Sequence, residues 1–283
     1  MPQMPLDPRL HAYRPDLADA RLAGRVEARR FVAGRPATIL APAAALRRRP
    51  APDAPLDSEA LHGETVTVFD TTAEGWCWVQ LDRDSYVGYV EAGGLGAAVA
   101  APTHRLDVPR SFVYPLPDIK APPRSWLPLG ARFAARAQDP RFLALDRGGF
   151  VIAAHASPRD RAAADFVAVA ESFLAVPYLW GGRTGLGLDC SGLVQIALDA
   201  AGLAAPRDSD QQQATLGTAL PAGAALRRGD LVFWPGHVGV MRDDRMLLHA
   251  NGHHMQVASE PLADAAARIA ARGGGAIAMI KRL

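Results

Sequence analysis

The chain has 283 residues, 49 % of them hydrophobic and 21 % charged, with a formal net charge of +2. That composition is globular and excludes a collagenous, disordered or disulfide-framework protein. A charge so near zero, with Arg scattered and bunched only at Arg47, Arg48 and Arg49, argues against nucleic acid as the partner.

In chain order, residues 1–30 carry Pro2, Pro5, Asp7, Pro8, Asp16 and Asp19 where a secretory signal needs an unbroken apolar run. They read as an N-terminal arm on a cytoplasmic protein with no membrane partner, and the two cysteines, Cys77 and Cys190, are then expected as free thiols. Residues 31–97 show short alternating apolar runs, among them Thr65 to Phe69, Trp76 to Leu81 and Tyr86 to Val90, separated by turn residues such as Thr72 to Gly75. That pattern predicts a small antiparallel barrel. Residues 98–156 repeat it, with Phe112 to Tyr114, Phe142 to Leu145 and Phe150 to Ile152, and predict a second one.

Near Ser157 the apolar period changes from two to helical, which marks the boundary of a last domain over residues 157–283. Phe166, Val169, Ala170 and Phe173 predict a helix from Asp160 to Ala175, stopped before Pro177. A second helix is predicted from Cys190 to Ala201, with Asp189 as N-cap and Gly202 as the stop. Short strands follow at 230–234, 237–241, 246–250, around 256–257 and at 276–281. A helix bearing a thiol followed by an antiparallel sheet is an α+β layout.

Cys190 ends the glycine-rich loop that begins at Tyr178, so it sits where a helix dipole and unpaired backbone N–H groups favour a thiolate and can hold an oxyanion. Cys77, between Trp76 and Trp78 in a strand, reads as a small buried hydrophobe. A thiol nucleophile needs a base and a group to orient it. His237 and His249 flank the polar turn Arg242 to Arg245, and a hairpin centred on 243 sets them within about one residue of cross-strand register. His249, His253 and His254 also invite a reading as metal ligands. Asn251-Gly252 inside the interval predicts a turn instead of the helix that such spacing needs, so no metal is expected. The Gly181 to Gly187 loop lacks the Lys-Ser/Thr of a phosphate cradle, and no cofactor is expected. On propensity alone, Glu64, Tyr86 and Asp208 are ordinary surface residues.

Taken in order, Asp189-Cys190-Ser191-Gly192, then Arg228-Gly229-Asp230-Leu231-Val232-Phe233, His237-Val238-Gly239-Val240 and His249 resemble the NlpC/P60 family of papain-like cysteine peptidases. The upstream barrels are similar to bacterial SH3 domains, and their tandem order resembles recycling endopeptidases that cut the γ-D-glutamyl bond to a diamino acid in L-Ala-γ-D-Glu-L-Lys or diaminopimelate peptides. The resemblance implies Cys190 as nucleophile, His237 as base and His249 as the orienting residue. It also implies that Glu64, Tyr86 (or Tyr89, the connection being short) and Asp208 meet the α-amine of a small murein peptide, while Tyr178, Trp180, Asp189, Ser191 and Ser209 line the cleft. Two other readings of the same residues are a wall-bound murein hydrolase whose barrels bind the wall, and a thiol acyltransferase on the same fold.

Overall fold

The computed structural model describes residues 6–97 and 101–283. The chain separates into two compact units, Met1–Arg159 and Asp160–Leu283. The division falls just beyond the expected position because the strand Ala156–Pro158 pairs back onto His104–Leu106. The expected boundary between the β blocks, at 97/98, touches residues outside the described ones, as do residues 1–5 of the arm.

In the first unit the alternating runs become a seven-stranded antiparallel sheet. Its order is Leu95–Gly96, Arg35–Ile39, Thr65–Thr71, Trp76–Leu81, Val87–Glu91, Ala43–Arg47 and Leu56–Leu61. Period-two alternation puts Ile39, Leu46, Val66, Val79, Leu81 and Val90 into one core, with Cys77 among them. The arm is folded onto this sheet. Leu17–Asp19 pairs with Tyr13–Arg14 and with Phe31–Val32. Ala12 and Leu17 pack on Phe69 and Trp78, and the Arg14 guanidinium stands 4.6 Å over the Trp78 ring. The second β block has its own core of Leu106, Val113, Leu127, Phe133, Leu143 and Val151, enclosed by short two- and three-stranded antiparallel sheets.

The second unit holds four helices among its described residues: α1 (Phe166–Glu171), α2 (Cys190–Ala200), α3 (Ser209–Thr215) and α4 (Leu262–Ala271). Its sheet is six-stranded and antiparallel, in the order Thr218–Ala219, Met279–Arg282, Leu231–Trp234, His237–Met241, Met246–Asn251 and Gln256–Pro261. The α1 helix is shorter than its apolar spacing suggests, because Asp165 caps it by accepting the Val167 N–H at 2.8 Å. Of its predicted stripe, Ala170 and Phe173 are buried and Val169 is only half-buried. The α2 helix starts at Cys190 and ends one residue short of the expectation, with Gly202 taking φ +76° just beyond it. Buried Leu193, Val194, Ile196 and Ala197 belong to α2, which packs against the strands His237–Met241 and Met246–Asn251. On the other side of the sheet, Val232, Trp234, Met241 and Leu247 close on Ala265 of α4. His237 and His249 share that alternation.

The charges of the Arg228-Gly229-Asp230 stretch are spent on structure. Arg228 pairs with Asp165 and Glu171 beside α1, and buried Asp230 accepts from Arg282 on the last strand at 2.7 Å. These pairs fix the entry of the strand that turns into His237.

Candidate active site

The glycine loop, the start of α2 and the central hairpin converge on a cleft of about 260 Å³ lined by Tyr178, Cys190, Trp234, His237 and His249. Gly192 makes the loop's approach feasible, since a Cβ there would lie 2.3 Å from the Gly182 carbonyl oxygen. The hairpin is centred on 244 rather than 243, which moves the partner of each residue by two positions and keeps the faces. Val240 faces Leu248 and Met241 faces Leu247, so pair numbers sum to 488 and position 249 lies opposite 239, two residues from His237. The histidines are therefore diagonal neighbours on one face. Gly239 leaves the space that His249 fills, its missing Cβ lying 3.2 Å from that of His249.

His237 Nε2 and His249 Nδ1 are 2.8 Å apart, and His249 Nε2 is 2.8 Å from Glu260 Oε1. Arg268 holds both oxygens of Glu260, with Nη2 at 2.6 Å from Oε1. Burial alone would raise the Glu260 pKa, but Arg268 and His249 overcome it and bring the carboxyl down to about 2. Glu260 is thus ionised and can only accept. His249 must then donate from Nε2 and accept at Nδ1, and His237 must donate from Nε2. Its Nδ1 is left as the ring nitrogen with a lone pair, in the cleft that Cys190 also lines. Burial, with the neighbouring His249 and Arg268, lowers the His237 pKa to about 3, and burial also lowers that of His249.

The thiol is not in the state its position suggests. Burial and the Asp189 charge push the Cys190 pKa up to about 12, against the opposing pull of the Val238 and Ser191 N–H groups and Arg207. At neutral pH the cleft therefore holds a neutral thiol and a neutral imidazole, an arrangement in which a thiol could act only by losing its proton to a base as it attacks. The Tyr178 hydroxyl, raised to about 12 by burial and by Cys190, stays protonated in the same cleft.

Asp189 and Ser191, expected in the cleft wall as substrate contacts, serve instead as its buried support. Asp189 Oδ1 accepts the Gly192 N–H at 2.7 Å and Arg207 Nη1 at 3.0 Å, and Oδ2 accepts the Gly181 N–H at 2.8 Å and Arg207 Nη2 at 2.6 Å. Ser191 Oγ accepts from Arg207 Nη1 at 2.9 Å. A carboxylate buried at a helix N-terminus needs more than backbone donors, and Arg207 supplies the rest. Trp180 stands 65 % exposed, outside the lining of this cleft, as are Asp208 and Ser209, which begin α3.

In the first unit, Glu64 and Tyr86 are not surface residues, being 3 % and 4 % exposed. Glu64 Oε2 accepts the Leu61 N–H at 2.9 Å, and Oε1 lies 3.6 Å from Arg83 Nε. Tyr86 is part of the core of its sheet. The Tyr89 hydroxyl is committed to the arm, accepting from Arg14 Nη1 at 2.9 Å.

Sequence reasoning missed Glu260, Arg268 and Arg207. For the first two the only signal was indirect: His249 as an orienting residue itself needs an acceptor, and the strand after the turn is where one must lie. His249→Gln keeps an acceptor for the His237 Nε2–H through its amide oxygen. It is expected to lose about tenfold to a hundredfold in kcat/KM with KM little changed, less than the factor a general base supplies. Loss as complete as that of a His237 variant would contradict the orienting role.

Residues 175–267 match the NlpC/P60 family, and residues 46–95 match the bacterial dipeptidyl-peptidase SH3 domain. A gamma-D-glutamyl-L-lysine dipeptidyl-peptidase of Bacillus subtilis is 35 % identical over 96 residues, covering 31 % of this chain and 32 % of the relative. Dipeptidyl-peptidase 6 of Lysinibacillus sphaericus is 36 % identical over 89 residues, covering 30 % of this chain and 31 % of the relative. The matched stretch thus spans about a third of the length of these curated relatives. A crystal structure of an NlpC/P60 family protein from Bacillus cereus shares the fold, with a TM-score of 0.70 over 81 % of this chain and 94 % of that one at 22 % identity. Residues 175–267, which carry Cys190, His237 and His249, are a domain of the NlpC/P60 family, preceded by a bacterial SH3 domain over residues 46–95.

Proposed function

We propose that this protein is a cysteine endopeptidase that hydrolyses the γ-D-glutamyl bond to a diamino acid in small murein peptides carrying a free N-terminal L-Ala. The proposed setting is peptidoglycan recycling in the cytoplasm. The observation that carries the chemistry is the relay from Glu260 through His249 to His237, which leaves the Nδ1 lone pair of His237 for Cys190. The thiol attacks the carbonyl, His237 takes its proton and returns it to the leaving amine, and a water activated by the same imidazole releases the acyl group. The Ser191 N–H at the start of α2, beside the thiol, is the donor proposed for the oxyanion, since that of Gly192 is held by Asp189. The substrate assignment is supported by the names of the relatives above and by the SH3 domain, and the block over residues 104–158, with its separate core, is proposed as a second SH3-like barrel.

Within this reading the substrate ammonium is met in the second unit by Asp208 ahead of α3, since an ammonium leaving water needs charged or acceptor partners. The test compares L-Ala-γ-D-Glu-L-Lys with its N-acetyl form, in wild type and in Asp208→Asn and Asp208→Ala, with products identified by mass spectrometry. The free amine is expected to be preferred by at least about a hundredfold in kcat/KM, because a site built for a charged donor rejects its absence strongly. Each variant should narrow that ratio. Comparable values for both peptides in wild type, or turnover of intact sacculi at a similar rate, would favour a wall hydrolase that uses its β blocks to bind murein. A product joined to an added amine in preference to water would favour acyl transfer.

A further inference from the structure

The outer end of the relay, His249 and Glu260, forms a set of metal-ligand atoms together with a third residue, His254, that the reaction as described does not use. His249, His254 and Glu260 each present one ligating atom, all within 4.8 Å of one another. Glu260 Oε1 is 2.8 Å from His249 Nε2 and 3.7 Å from His254 Nδ1. Helical spacing is not what gathers them. In the hairpin of the strands Met246–Asn251 and Gln256–Pro261, His249 faces Ala258 and Glu260 is two residues further along the same face. The turn between the strands then folds His254 back. Asn251 Oδ1 accepts the N–H groups of His253 at 3.1 Å and His254 at 2.9 Å, and Met255 takes φ +53°. The same Asn251-Gly252 turn that argued against convergent histidines thus brings two of them together, with a carboxylate as third ligand. The His249 side chain is fully buried and that of Glu260 nearly so, whereas one third of the His254 side chain is exposed, which gives an ion a way in.

We propose that His249, His254 and Glu260 form an inhibitory site for a zinc-like divalent ion, which stops catalysis by reversing the hydrogen bonds of the relay. Two imidazoles and a carboxylate suit zinc with a water in the fourth position, whereas magnesium and calcium prefer all-oxygen shells. A neutral imidazole that binds metal through Nε2 carries its proton on Nδ1. His249 would then donate to His237 instead of accepting from it, and the single proton of His237 would move to Nδ1, the nitrogen that the proposed mechanism uses to take the thiol proton. Each ring keeps one proton and no electron changes hands, but the lone pair that accepts the thiol proton is gone. Arg268 Nη2 must release Glu260 Oε1 while Nη1 keeps Oε2, so the ion binds less tightly than at a site without a competing cation. The inhibitory consequence rests on the peptidase reading, whereas the site itself does not.

His254 makes no contact with His237 or Cys190 in the relay, so His254→Ala separates this site from the more obvious target, zinc on the thiol. Wild type should lose peptide hydrolysis on adding Zn²⁺, recover it with a chelator and be indifferent to Mg²⁺. His254→Ala should keep its metal-free kcat and need at least about tenfold more zinc for the same inhibition. Independently of turnover, Co²⁺ added to Cys190→Ala should give the ligand-field absorption of a nitrogen and oxygen shell, lost in Cys190→Ala/His254→Ala. Unchanged zinc sensitivity in His254→Ala would overturn the proposal. So would a thiolate-to-cobalt band in wild type with no ligand-field absorption left in Cys190→Ala, which would place the ion on Cys190. Because cobalt binding is read without substrate, a wrong choice of peptide leaves this arm of the test intact.

Discussion

Cys190→Ala and His237→Ala are each expected to lower kcat/KM by about a thousandfold or more, and the double variant is expected to be little worse than either single one. A thiol whose pKa burial has pushed to about 12 does not attack unless its proton has somewhere to go, and a base at about 3 has nothing to accept unless the thiol attacks. The two steps are one event, so losing either partner loses the event. Additive losses in the double variant would mean that thiol and imidazole act separately. Loss of turnover in Cys77→Ala with activity kept in Cys190→Ala would move the nucleophile to the other unit. The depressed His237 pKa also sets the pH profile. Its base form persists as the pH falls through 6.5, the ordinary value for a histidine, and is lost only near 3. On this account kcat/KM holds between about pH 7 and pH 5, and an acid limb centred near 6.5 would show that His237 is less shielded than the cleft implies.

What was legible in the sequence follows from where each signal is stored. Period-two runs and turn residues write the sheets directly, and Asp189 ahead of an apolar stripe writes the start of α2. That Cys190, His237 and His249 come to one cleft was legible because a helix N-terminus and a hairpin turn fix positions locally. The thiol's charge state was not, because it is a balance: the helix-end N–H groups that favour a thiolate are visible in sequence, and the burial that outweighs them is not. The hairpin centre lies at 244 rather than 243 for a similar reason. The centre of a polar turn is known only to within a residue, whereas the packing of His249 over Gly239 is specific. Partners far apart in sequence were hidden altogether. Nothing near Glu260 marks it as the acceptor for His249, and nothing near Arg207 marks its guanidinium as the partner of Asp189 at the start of α2. The short helix α3 carries no long apolar stripe, whereas α4 has one in Leu262, Ala265, Ala266 and Ile269 at helical spacing, a signal the sequence does hold.

Arg207→Met is expected to destabilise the second unit by about 3–5 kcal/mol, the range for breaking a buried ion pair by removing one partner. Arg207 is 1 % exposed, and the Asp189 carboxylate that it holds also caps α2 through Gly192 and anchors the glycine loop through Gly181. Without the guanidinium, that carboxylate keeps backbone donors but loses the cation that grips both its oxygens. An uncompensated charge then remains beside the thiol. Asp189→Asn in the same chain removes the stranded charge while leaving an amide oxygen to cap the helix, so Asp189→Asn/Arg207→Met should be more stable than Arg207→Met alone. Urea unfolding of the two single variants, the double and the wild type gives the coupling energy directly. A cost below about 1 kcal/mol for Arg207→Met, or a double variant that is the sum of the singles, would show that Arg207 packs without supporting the charge. The same residue also bears on catalysis. Asp189 and Ser191 flank Cys190 and both bind Arg207, so the sulfur should lose its aim at His237 even where the variant is still folded. At a urea-free temperature well below its transition, Arg207→Met is therefore expected to lose kcat with little change in KM, which a loss of folded protein alone would not imitate after correction for active fraction.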